Sequence, residues 1–172
     1  LIHFGYGIAK NLIKHGHKLF VVANKNRVPI DKSIYDGAEE AKDIEELCNK
    51  ELDALFLCVT NTPIAISIAE KLLVLLTSKT LIIDITTHNQ NGSKDMDKIF
   101  AKKNISYVEC PVMGGPVQAE EGVLGGIVGA TEENFKKAES YLKSFCKDYF
   151  YFGEVGAGAK SKLLNNFLSI GT

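Results

Sequence analysis

Apolar runs that do not alternate with polar residues recur along this 172-residue chain. A strand with one wet face alternates apolar and polar residues, whereas a strand covered on both faces is apolar throughout. The strand-like runs are residues 18–23, 53–58, 80–84 and 105–109. Helix-like segments accompany them at about residues 5–14, 43–50, 62–76 and 92–103. This alternation predicts the α/β class, with a doubly wound parallel sheet.

The pattern changes after Glu109 to a glycine-rich segment that extends to Gly129. A charged helix at about 131–145, an aromatic strand at 149–152 and a Gly-Ala loop then lead into a last helix. We predict that the Gly-Ala loop is a domain boundary. Residues 1–157 would form one domain whose first strand is incomplete, and residues 158–172 would begin a helical domain, so the chain is interpreted as a fragment.

Composition excludes several classes of function. A formal net charge of -1 gives no basic excess for nucleic-acid binding, and no apolar run is long enough to cross a membrane. The four cysteines show no metal-ligand spacing, so we expect no metal site and a reducing, cytoplasmic location, although import into an organelle cannot be judged from these chain ends. Cys58 lies in an apolar run, which favours a buried small residue over a reactive thiol.

Two segments are candidates for binding a dinucleotide. Residues 1–12, with Gly5 and Gly7, have the form of a phosphate-binding turn that opens a helix, although glycines that only permit helix packing would give the same pattern. The second strand ends in Asn24 and Lys25, followed by Asn26 and Arg27, where an acidic residue would read the ribose of NAD. Cations there favour the 2′-phosphate of NADP over NAD. The alternative is a solvated basic turn.

Lys162 and Asn166 follow the Gly-Ala loop and are four residues apart, so they project from one face of a helix. A partly desolvated lysine has a lowered pKa and can exchange a proton with a hydroxyl oxygen. Taken alone, such a pair is more typical of an ordinary helix surface than of a site.

Four motifs stand in order along the chain. They are Cys58-Val59-Thr60-Asn61, Asp84-Ile85-Thr86-Thr87, Glu109-Cys110-Pro111-Val112-Met113-Gly114-Gly115-Pro116 with Ala119, Gly122 and Leu124, and Gly156-Ala157-Gly158 with Lys162 and Asn166. In this order the chain resembles the β-hydroxyacid dehydrogenase family, which includes 3-hydroxyisobutyrate dehydrogenase, tartronate semialdehyde reductase and the glyoxylate/succinic semialdehyde reductases. The resemblance implies a Rossmann-type NAD(P)-binding domain and hydride transfer between NADP or NAD and a small hydroxy acid or semialdehyde.

The resemblance also implies roles for single residues. Lys162 would donate and accept the proton at the substrate oxygen, and Asn166 would orient either the lysine or the hydroxyl. The implied substrate site is Met113, Gly114 and Gly115, whose glycine amides would bind a carboxylate. The implied cofactor residues are Phe4, Gly5, Asn24, Lys25, Val59, Thr60, Thr86 and Thr87. The helical domain would close the cleft and form a homo-oligomer.

The chain departs from the family pattern at three positions. Ile2 stands where the family has a second fingerprint glycine, and a branched side chain there would crowd a pyrophosphate; Phe4 replaces the usual Met. Met113 replaces a serine whose hydroxyl helps to hold the carboxylate. These differences bear on cofactor affinity and on which acid is bound.

Two other functions stay open. The first is a non-catalytic dinucleotide-binding scaffold, because fold alone does not establish activity and only Lys162 argues against it. The second is an imine reductase or a 6-phosphogluconate dehydrogenase-type relative. A phosphorylated sugar acid would require cations that residues 111–126 do not supply.

Overall fold

The computed structural model describes residues 2–22 and 26–170, and side chains within residues 4–22 and 26–168. The helices are α1 Ile2–Lys14, α2 Val28–Tyr35, α3 Ile44–Cys48, α4 Thr62–Leu75, α5 Gln90–Ala101, α6 Pro116–Glu121, α7 Glu132–Phe145 and α8 Ala157–Ile170. The strands are β1 Phe20–Val22, β2 Glu39–Ala41, β3 Ala54–Leu57, β4 Leu81–Asp84, β5 Ser106–Glu109, β6 Val112–Met113, β7 Leu124–Val128 and β8 Cys146–Tyr151. The predicted α/β class is confirmed.

Strands β3, β4 and β5 form the central parallel sheet. Its register aligns Leu57 with Asp84 and Asp84 with Glu109, so the last residues of the three strands meet at one edge. Successive residues of β4 face opposite sides of the sheet. Ile83 accordingly belongs to the apolar cluster that includes residues of α1 and α7, and Ile82 to the cluster with α4 and α5. Both faces are covered, as the apolar runs predict.

The parallel sheet is not continuous. β1 pairs with β2 in a separate sheet, and a cavity of about 810 Å³ lies between β1 and β3. Within residues 2–22 and 26–170, no strand pairs with β3 other than β4, or with β1 other than β2.

The glycine-rich segment is more regular than the sequence indicates. It contains β6, α6 and β7, and β6 runs antiparallel to β7. Gly126 lies inside β7, at a position with little room for a side chain. A Cβ there would come within 3.0 Å of the Tyr149 Cβ and 3.3 Å of the sulfurs of Cys110 and Cys146. Close packing, rather than a turn, explains this glycine.

Smaller differences concern the first 41 residues. Helix α1 begins at Ile2, three residues before the predicted start at Gly5. Helix α2 and strand β2 were not predicted. β2 is the short exposed sequence Glu39-Glu40-Ala41, with only Ala41 buried, and it forms by pairing with β1 rather than through a pattern of its own.

Candidate active site

A cleft of about 260 Å³ lies at the carboxyl edge of the central sheet. Its lining consists of Phe4, Cys58, Ile85, Thr87, Val112, Gly114, Lys162 and Asn166. Five of these are predicted site residues, and they come from four separate parts of the chain. Ligands of open α/β sheets bind beyond the carboxyl ends of the strands, so the position itself fits a binding site.

Lys162 and Asn166 both reach this cleft from α8, one helical turn apart. Burial lowers the pKa of Lys162 below its ordinary value. Among the residues that the structure describes, no carboxylate lies within ion-pairing distance of its Nζ atom to oppose this shift. The amine can therefore lose its proton more readily than an exposed lysine.

The start of α8 is attached to the central sheet through Glu109. One carboxylate oxygen, Oε1, accepts hydrogen bonds from the backbone amides of Gly156, Gly158 and Ala159 at 2.7, 2.8 and 3.2 Å. The residue is completely buried, and this desolvation raises the pKa of its carboxyl group, while the Ser93 side chain and the three amides act in the opposite direction. Sequence reasoning placed Glu109 only as part of a motif. An acidic residue that ends a buried strand is the signal that could have revealed it.

Two predicted cofactor loops are joined by a hydrogen bond. The backbone amide of Val59, after β3, donates to Oγ1 of Thr86, after β4, at 3.1 Å. Thr60 and Thr87 beside them are exposed, and Thr87 lines the cleft. The structure thus brings four predicted cofactor residues to one edge of the sheet.

A buried polar network holds the loop after β4. Oδ1 of Asp84 accepts from the backbone amide of Thr86 at 2.9 Å, and Oδ2 accepts from the hydroxyl of Tyr107 at 3.0 Å. The same Oδ2 lies 2.9 Å from Nε2 of His88, whose Nδ1 is 2.8 Å from Oγ1 of Thr62 at the start of α4. Sequence reasoning missed His88. A histidine four residues after an acidic strand end was its only signal.

The two glycines at the start of α1 play different parts. A Cβ on Gly7 would collide with the backbone of α6 at Ala119, so Gly7 permits helix packing. Gly5 has no atom within 4 Å of the position where its Cβ would stand, which leaves its backbone open to close approach. Phe4 lines the cleft. The packing interpretation therefore applies to Gly7, and the binding interpretation is kept for Phe4 and Gly5.

The predicted substrate residues are neighbours, but they do not all face the cleft. Gly114 lines it with φ +117°, a conformation that favours glycine. The methyl group of Met113 lies over Gly125, where a Cβ would meet it at 2.8 Å, and Met113 is not part of the lining. The backbone amide of Gly115 donates to Oε1 of Gln118 at 2.9 Å. The Gln118 side chain therefore occupies one of the two backbone amides that we expect to bind the substrate carboxylate.

Comparison with known proteins places this geometry in a family. Residues 1–153 match the family described as the NAD binding domain of 6-phosphogluconate dehydrogenase. The chain belongs to this family. It therefore carries an NAD-binding domain, as the motifs predict.

Relatives of this NAD-binding domain are dehydrogenases. A 2-(hydroxymethyl)glutarate dehydrogenase of Eubacterium barkeri is 39% identical over 89 residues, which cover 52% of this chain and 30% of that protein. A probable mitochondrial 3-hydroxyisobutyrate dehydrogenase of Dictyostelium discoideum is 30% identical over 166 residues, or 93% of this chain and 50% of the relative. The chain thus spans half or less of the length of these relatives. Both names agree with the resemblance drawn from the motifs.

A solved structure supports the fold of this NAD-binding domain. The 3-hydroxyisobutyrate dehydrogenase of Mycobacterium tuberculosis, solved with L-serine, superposes with a TM-score of 0.91 at 20% identity. The match covers 96% of this chain and 56% of the solved one. At this identity the likeness establishes the Rossmann-type fold alone.

The basic turn after β1 is only partly described in this domain. Asn24 and Lys25 lie outside the described residues. Arg27 is exposed, and its guanidinium pairs with Asp31 at 2.8 Å and with the carboxylate of Glu40. These two acidic residues already neutralise a cation that the sequence assigns to the 2′-phosphate of NADP.

Metal and thiol chemistry find no support within the described residues. No group of three His, Cys, Asp or Glu side chains there could hold a metal ion. Burial raises the pKa of Cys58 to about 11, so its thiol stays protonated at neutral pH although it lines the cleft.

No described helix combines the length and apolar character that a membrane span requires.

Proposed function

We propose that this chain is the cofactor-binding part of a dehydrogenase that moves a hydride between NAD(P) and a small hydroxy acid or semialdehyde of the 3-hydroxyisobutyrate type. The observation that carries the proposal is Lys162, which has a lowered pKa, forms no ion pair with any described residue, and shares a cleft with Thr87 and Gly114. A scaffold protein has no need of such a group at this position. The names of the relatives support the same class of reaction.

The residues at this edge fit a dinucleotide. The backbone at Gly5 is open, and the bond between Val59 and Thr86 fixes two loops against which a cofactor could lie. Phe4, Thr60 and Thr87 are the neighbouring groups that we assign to cofactor binding. When bound, the nicotinamide supplies or accepts the hydride.

The proposed work of the chain's own residues is proton transfer and orientation. Lys162 gives a proton to the carbonyl oxygen during reduction and takes it from the hydroxyl during oxidation. Asn166, one turn along α8, orients the oxygen that reacts. The amides of Gly114 and Gly115 receive the carboxylate, and Gln118 must release Gly115 for both to act.

Cofactor choice and assembly belong to the same proposal. NADP is favoured over NAD because Asn24 and Lys25 take the place of an acidic ribose-binding residue, whereas the charge of the neighbouring Arg27 is paired with Asp31 and Glu40. We propose that residues 158–172 begin a helical domain, because α8 exposes Leu163, Leu164, Phe167 and Leu168 to solvent. That domain would also form a homo-oligomer. The cytoplasmic location stays a prediction.

The test is a substrate panel with the complete protein. Small hydroxy acids, among them 3-hydroxyisobutyrate, are offered with NADP or NAD, and reduced cofactor is followed by its absorbance. The rate of oxidation should rise with pH through the lowered pKa of Lys162, because only the neutral amine accepts a proton. Cofactor binding without turnover of any hydroxy acid would favour the scaffold and contradict the proposal.

A further inference from the structure

We propose that the carboxylate of Glu109 is a positioning group for Lys162, because it fixes the point at which α8 enters the cleft. This inference rests on the function proposed for Lys162. It concerns a residue that makes no contact with the cleft itself, since Glu109 is absent from the lining described above.

The attachment is formed by one oxygen and the first amides of α8. Oε1 of Glu109 accepts from Gly156 and Gly158 at 2.7 and 2.8 Å and from Ala159 at 3.2 Å. The first amides of a helix lack partners within the helix and carry its positive end, so a carboxylate is well suited to this position. Lys162 follows Gly158 by four residues on the same helix. A displacement of the helix start therefore moves the amine directly.

The approach of α8 to Glu109 is too close for ordinary side chains. A Cβ on Gly158 would come within 2.9 Å of both Oε1 of Glu109 and the backbone nitrogen of Gly129. A Cβ on Gly129 would overlap the same carboxylate. Gly156 has φ +98°, a conformation that favours glycine at the turn into α8. Three glycines thus keep the helix start in contact with one carboxylate.

The burial of Glu109 argues for a role beyond an ordinary helix cap. Burying a carboxylate is costly unless fixed polar groups replace its water. The described residues offer no cation to Glu109 within ion-pairing distance, so only neutral groups, the three amides and the Ser93 side chain, stabilise its charge. Asn61 on α4 is an exposed cap with a neutral side chain, and the charged cap Asp43 on α3 is only partly buried. The buried carboxylate, with its large desolvation cost, is therefore found at the start of the helix that carries Lys162.

The decisive variant is Gly158→Ala in the complete protein. Alanine favours helix formation over glycine, so a role limited to helix stability predicts no loss. Positioning predicts the opposite, since the new methyl group separates α8 from Glu109. We expect kcat to fall about 10- to 100-fold, the effect of a misplacement of about 1 Å, with the Kd of the cofactor changed less than twofold. Ser161→Ala, on the same helix and without this collision, is the matched control and should keep its kcat.

A second readout does not depend on activity. The reaction of Lys162 with an amine-specific acylating reagent is followed by mass spectrometry across a pH series, with exposed Lys160 as internal reference. In Glu109→Ala and Gly158→Ala, the pH of half-reaction of Lys162 should move upward, because the released helix lets water reach the amine. Glu109→Gln, which keeps a neutral acceptor, should lie between these variants and the wild type. Leu142→Ala, in the core on α7, controls for lower stability alone and should leave the profile unchanged.

The outcomes separate the two proposals. A shifted labelling profile in a wild-type protein without dehydrogenase activity would reject the proposed function and keep the positioning role. Normal kcat and an unchanged profile for Gly158→Ala would overturn the positioning role, even if Glu109→Ala fails to fold.

Discussion

Asp84 and Glu109 are paired residues at the ends of neighbouring parallel strands, and both carboxylates are completely buried. Asp84 holds the loop after β4 through the amide of Thr86, whereas Glu109 holds the start of α8. One carboxylate thus orders the proposed cofactor side of the cleft and the other the side that carries Lys162. The rigid sheet edge fixes the distance between the two sides.

The Asp84 network predicts a large loss of stability on removal of His88. In His88→Ala, Asp84 loses a bond at 2.9 Å and Thr62 loses its partner at 2.8 Å. A hydrogen bond to a charged group is worth about 1.5 to 3 kcal/mol, so the free energy of unfolding should fall by at least this amount. Urea denaturation measures it. His15→Ala, at an exposed histidine, is the control, and equal losses in both variants would contradict the role of the network.

Cofactor preference can be tested at the pair of Arg27 and Glu40. Glu40→Gln frees the guanidinium of Arg27 from one carboxylate, so it should raise the ratio of kcat/KM for NADPH to that for NADH. An exposed ion pair is worth up to about 1 kcal/mol, which limits the change to about fivefold. Glu39→Gln makes the same charge change beside it but removes a pair with Lys18 instead. A rise of equal size in both variants would show that general charge, rather than Arg27, is responsible.

Substrate affinity should respond to Gln118. In Gln118→Ala the amide of Gly115 loses its internal acceptor and becomes available to a carboxylate. A neutral hydrogen bond contributes about 1 kcal/mol, so the KM of the acid should fall about fivefold with little change in kcat. Val117→Ala, at an exposed position on the same short helix, serves as the control. An unchanged or higher KM would show that Gly115 does not bind the carboxylate.

The sequence predicted those parts of the fold that local patterns determine. The buried strands β3 to β5 and the pair of Lys162 and Asn166 follow from apolar runs and helical spacing. Strand β7 was missed because its glycines suggested a loop. These positions require glycine because Cys110, Cys146 and Met113 pack closely against them, and this contact is visible only in three dimensions.

The site was predictable only where its residues match motifs. Glu109 and the amides that it binds are 47 to 50 residues apart, and no local pattern records such a contact. The same holds for Tyr107 and Asp84, which are joined across two strands. Long-range polar contacts hold the cleft together, and these are what sequence patterns leave out.

The turnover of Lys162→Ala in the complete protein tests the central claim most directly. If Lys162 transfers the proton, kcat should fall by about two to four orders of magnitude, while the Kd of the cofactor, measured by its fluorescence, stays nearly unchanged. Lys160→Ala, an exposed lysine two residues earlier, should retain full activity. A Lys162→Ala protein with near-normal kcat would contradict the account.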